Sequence, residues 1–101
     1  MWQSKRGFHL LSHGHFDENG HYACAEAAEG PWQFRVAPAY TNVLDVQGGG
    51  SATLVQRERP QIFFNETTGE PAILFTGVAP PGAAFYGYTY THAQRIQQRA
   101  P

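Results

Sequence analysis

Turn chemistry interrupts this chain so often that a helix of ordinary length has nowhere to sit between the breaks, and that restricts it to short strands. From the N-terminus, "FHLLSHGHF" (8–16) runs into "DENG", whose Asn19-Gly20 is a hairpin signal, and then into "HYACAEA" (21–27). "EGPW" turns the chain into "WQFRVAP" (32–38), and "AYTNVLDV" ends at the Gly48-Gly49-Gly50-Ser51 break. Beyond it lie "ATLVQ" (52–56), "PQIFFN" (60–65), the tight connection "NETTGEP", "AILFTGV" (72–78), the loop "APPGA" and "AFYGYTYTHA" (84–93). Helix is conceivable only in "AQRIQQRA", which lacks both a cap and a convincing apolar face. The expected class is all-β, made of antiparallel β-hairpins.

Two stretches repeat a theme. "FHLLSHGHF…HYACAEA" and "AILFTGV…AFYGYTYTHA" are each an apolar strand, a loop, and a strand of small and aromatic residues. Repeated hairpins point to radial architecture, part of a β-propeller, with blade-like segments at 7–46 and 52–93 and a tail at 94–101. On that reading the first segment supplies the second, third and fourth strands of one blade, and residues 60–93 supply the first three strands of the next. Two incomplete blades leave apolar faces and sheet edges open, so the chain is expected to be a piece of a longer protein or to need self-association. The alternative is a small β-sandwich or barrel, for which 101 residues suffice.

Charge narrows the partners. Seven Lys and Arg against eight Asp and Glu give a net charge of −1, with only 15% of residues charged. Bulk electrostatics therefore favours neither nucleic acid nor an anionic membrane. The single cysteine, Cys24, reads as a small buried thiol, since it has no intrachain partner and no paired thiolate spacing. No apolar run approaches the roughly 20 residues that span a bilayer, and "MWQSKRGFHL" lacks the apolar core of a signal peptide. The visible chain carries no address; an extracellular location is expected only if a longer chain supplies a signal peptide. Asn65-Glu66-Thr67 matches the glycosylation triplet, which matters only in that case.

"YACAEAAEGPW" and "RERPQIFFNETTGEPAILFTGV" together resemble the blade motifs of five-bladed β-propeller glycosidases of the glycoside hydrolase family 43 type, a likeness that covers residues 7–92. The resemblance implies acidic residues at the starts of innermost strands around a central funnel. It also implies a general acid in a Glu-x-Pro-x-apolar context, which Glu58-Arg59-Pro60-Gln61-Ile62 matches residue by residue. The residues agree with that placement: Pro60 cannot donate to a strand ladder, belongs at a strand's first position, and sets Glu58 at the rim. A partly desolvated carboxyl there can protonate a leaving glycosidic oxygen. Arg57 and Arg59 pull the other way, because adjacent cations lower a carboxyl pKa. Alternation turns both arginines away from Glu58 if the segment is extended; if it is irregular, they are candidate ligands for a carboxylate or sulfate on a sugar. A plain structural ion pair is the competing role.

Strand alternation sets His9, Leu11, His13 and His15 on one face. In a propeller the loop between the second and third strands opens on the side where the next first strand begins. His13, His15 and Asp17 are thus expected to meet Glu58 and to contact sugar hydroxyls. His13-Gly14-His15 also resembles the cupin metal motif, but Glu18 falls one residue too near and no second half is evident. Glu29 fits a turn better than a catalytic role. Trp2, Trp32, Tyr86, Tyr88 and Tyr90 are aromatic platforms in principle, though tyrosines at period two more often pack. Hydrolysis by the family mechanism takes two carboxylates, and the two aspartates, Asp17 and Asp45, open no inner strand.

The expected function is therefore a carbohydrate-active, glycosidase-like propeller portion that is not active alone. Glu58 is its catalytic candidate, and His13, His15, Asp17, Arg57 and Arg59 are its substrate contacts, with no cofactor implied. A non-catalytic glycan- or protein-binding module and a cupin-like metal protein are the alternatives.

Overall fold

A computed structural model describes residues 1–14, 17–83 and 89–97. The chain is all-β and antiparallel, with no helix among the described residues. A four-stranded meander comes first, in the order β1 (Trp2–Ser4), β2 (Gly7–His13), β3 (Gly20–Ala25) and β4 (Gln33–Phe34). A separate hairpin follows, β5 (Val43–Asp45) with β6 (Ser51–Thr53). The last sheet is a three-stranded meander of β7 (Gln56–Phe64), β8 (Pro71–Ala79) and β9 (Tyr90–Arg95). None of the three sheets closes into a barrel.

Several boundaries differ from those the sequence leads one to expect. The first sheet opens at Trp2, because Trp2 pairs with His9 and Ser4 with Gly7. The fourth strand is only two residues long, and Val36 beyond it is fully exposed. The triple-glycine break is the tip of the β5–β6 hairpin, where Gly48, Gly49 and Gly50 all take φ between 84° and 99°, a region that side chains resist. Ala93 to Arg95 belong to β9 rather than to a helix.

Pro60 is the clearest correction. It does not open a strand: β7 already runs through Gln56, Arg57 and Glu58 and pairs with β8 as Arg57↔Val78 and Glu58↔Gly77. The ladder then slips, so that Gln61 next pairs with Phe75, and Arg59 takes φ 55° inside the slip. Proline is tolerated there because a bulge leaves one backbone N–H unpaired. The "NETTGEP" connection behaves as expected: Asn65 Oδ1 accepts the N–H groups of Thr67 and Thr68 at 2.8 and 2.9 Å, which fixes the turn into β8.

The sheets pack through the face of the first meander that carries Trp2, His9 and Leu11, set against β7. Trp2 meets Phe64 edge-on at 5.9 Å and stacks on His9 at 5.0 Å, so its ring is spent on packing. His9 is buried, hydrogen-bonded through Nε2 to Ser4 Oγ (2.6 Å) and through Nδ1 to the Tyr22 hydroxyl. Burial, with the charge of Arg6 adding to it, lowers its pKa below 6.5. Below pH 6.5 the unfolded chain therefore binds more protons at this position than the folded one. Stability is expected to fall as pH drops from 6.5 through the folded pKa of His9, and His92 acts in the same direction. Denaturant titrations stepped between pH 7.5 and 5.5 check this; His9→Phe should be less stable at pH 7.5 yet show a shallower slope.

Candidate functional site

The loop from β2 to β3 reaches the bulge of β7. The Arg59 N–H, freed from the ladder by the bulge, donates to His13 Nδ1 at 3.2 Å, which leaves the proton of the neutral ring on Nε2. This bond brings His13 to the segment that carries Glu58. Asp17 lies in the same loop. Its carboxylate accepts the Asn19 N–H at 3.0 Å and pairs with His21 at 3.1 Å, and those two bonds, the backbone one first, lower its pKa. The pair is exposed and contributes little to stability. His15 lies outside the described residues, as do Tyr86 and Tyr88.

Sequence reasoning missed Glu18 as a site residue. It is partly buried, and its Oε1 is shielded from solvent without a hydrogen-bond partner. Burial pushes its carboxyl pKa up, the Glu58 carboxylate adds to the rise, and His13 opposes it. Glu18 and Glu58 are thus close enough for their charges to interact, and Gln56 Nε2 donates to Glu58 Oε1 at 3.4 Å. Tyr40 ties the start of β3 to β7. The Gly20 N–H donates to Tyr40 O, and the Ala39 N–H donates to Gly20 O, both at 2.8 Å. The Tyr40 ring lies against Gly20, and its hydroxyl donates to the Arg57 carbonyl at 3.4 Å. The phenol is pushed up to about 12, by burial above all, and stays neutral at any working pH.

Because the folded Glu18 holds its proton to higher pH than the unfolded one, the folded state binds more protons just above pH 4.5. Its cost to stability grows as pH rises through the folded pKa. Glu18→Gln is therefore expected to stabilise the protein at pH 7 and to change little at pH 4. Urea midpoints of parent and variant at the two pH values check this.

Arg57 does not join this group. It is 2% exposed, and its guanidinium donates from Nε to Thr76 Oγ1 (3.2 Å), from Nη1 to Thr41 O (2.7 Å) and from Nη2 to Gln94 Oε1 (2.8 Å). Its central carbon sits 4.6 Å over the Tyr40 ring. Alternation along β7 turns Arg57 and Glu58 to opposite sides. Arg59 is exposed and reaches His13 through its backbone alone. Among the described residues no ion pair joins Glu58 to either arginine, and no group of three or more His, Cys, Asp or Glu is arranged to hold a metal ion.

Set beside known proteins, the chain matches no family, no curated protein and no solved structure.

Proposed function

We propose that this chain is a portion of a glycosidase-like β-propeller that acts on, or binds, a carbohydrate at the rim where the β2–β3 loop meets the bulge of β7. The observation that carries the reading is the bond from the Arg59 N–H to His13, which brings the β2–β3 loop, with the half-buried Glu18 and its unpartnered Oε1, to the Glu58 segment. Glycoside hydrolysis takes one carboxyl that holds its proton and one that is ionised. Glu18, with its raised pKa and buried oxygen, suits the acid that protonates the leaving oxygen. Glu58 is then the partner carboxylate, a role different from the acid expected of it from sequence. His13 Nε2–H is left to bind a sugar hydroxyl.

Two antiparallel meanders that meet through β7, with the β5–β6 hairpin between them in the chain, support the propeller reading, with β7 as the inner strand of the second. Phe34 is 72% exposed and Val36 99%, which supports a need for further blades or a second copy to cover the outer strand. The test is hydrolysis of a panel of 4-nitrophenyl glycosides by the folded protein. A rate that falls about 100-fold in Glu18→Gln and in Glu58→Gln, with unfolding midpoints retained, supports the reading. Binding of oligosaccharides without hydrolysis would shift it to a non-catalytic glycan module, and neither binding nor hydrolysis would end it.

A further inference from the structure

We propose that a second site lies on the other side of β7: a cleft of about 700 Å³ between β9 and the segment leading into β5, which takes a small carboxylate-bearing ligand with Arg57 at its wall. The site does not depend on the carbohydrate reading of the Glu18–Glu58 rim.

Three observations converge on the cleft. Arg57 is almost wholly buried, yet no carboxylate lies within ion-pair distance of it among the described residues; its three hydrogen bonds all go to neutral acceptors. A buried cation without a counter-ion is costly, and two of the five guanidinium N–H groups remain beyond those three bonds. Next, His92 lines the same cleft, and its Nδ1 is shielded from solvent with no hydrogen-bond partner. Burial, with the charge of Arg57 adding to it, lowers the pKa of that imidazole below 6.5, so the ring brings a hydrogen-bonding group to the cleft rather than a second charge. Finally, the cleft has the size of a small-molecule site, and the exposed Arg95 and Asp45 also line it.

One fixed guanidinium and one neutral imidazole match a monoanion. The planar fork of Arg57 is held in place by Thr41, Thr76 and Gln94 before any ligand arrives, which favours the planar carboxylate. The carboxylate can belong to an acidic sugar or to a simple organic acid, and the two differ in whether the rest of the cleft is filled.

The test is a titration of the isotope-labelled protein with glucuronate, glucose and acetate, followed through the Arg57 Nε–H and His92 ring resonances. Glucuronate is expected to shift both, with a dissociation constant in the millimolar range or tighter, and glucose to shift neither. Acetate binding as well as glucuronate assigns the site to simple acids; acetate binding about tenfold more weakly assigns it to an acidic sugar. His92→Leu removes an unpartnered nitrogen and so should fold, and it is expected to weaken binding at least fivefold, which keeps the test sound if Arg57 variants unfold. No shift with either acid, or equal shifts with glucose, overturns the proposal.

Discussion

Gly20→Ala is expected to cost about 3 kcal/mol of stability, the upper range for forcing extra atoms into a packed site. A Cβ at position 20 would fall 2.0 Å from Cε2 and 2.2 Å from Cδ2 of Tyr40. The ring cannot swing aside, because it is buried beneath the Arg57 guanidinium and its own backbone is bonded to Gly20. With a urea slope of about 1 kcal/mol/M for a small domain, the midpoint should drop by about 3 M, or the chain should fail to fold. Gly77→Ala is the control. A Cβ there meets only the Glu58 carbonyl at 3.7 Å, ordinary contact, so that variant should equal or slightly exceed the parent. Equal midpoints for the two variants would mean that the Gly20–Tyr40 contact does not organise the site.

That glycine also shows what kind of information the sequence holds. Asn19-Gly20 announces a hairpin, and one is present, but the glycine is the first residue of β3 and is needed because an aromatic ring 20 residues later lies on it. The strand pattern of β2, β3, β7 and β8 was legible because alternation and turn residues are local properties. The approach of His13 to the Glu58 segment was expected only through the propeller reading, because β2 and β7 lie in different sheets and no local pattern brings them together. β1 was not legible: three residues carry no period, and only pairing with β2 makes them a strand. The bulge at Arg59 and Pro60 depends on the β8 register, and Pro60 by itself fits a strand start equally well. Glu18 reads as one more polar loop residue, because the shielding of its Oε1 comes only with the tertiary fold.

Arg57 is the residue whose placement composition argues against most strongly, and Arg57→Met is expected to destabilise the protein by about 4 kcal/mol, from three hydrogen bonds to a charged donor at about 1.5 kcal/mol each, less what relief of a buried charge returns. The sign is not automatic. Apolar replacement of a buried ionic group can stabilise when every partner is replaced with it. Here the Thr41 carbonyl, the Thr76 hydroxyl and the Gln94 amide all stay behind, and the Tyr40 ring loses its cation. Arg57→Lys keeps the charge but has no planar fork to reach Thr41, Thr76 and Gln94 at once, so it should recover less than half of the loss. Thr76→Val should cost about 1 kcal/mol alone and almost nothing in the Arg57→Met background, because the bond it removes is already gone. Chemical unfolding of the four proteins gives the cycle. A parent-like midpoint for Arg57→Met would mean that the three bonds add nothing net to the fold, and that the guanidinium is kept in the interior for what binds in the cleft beside it.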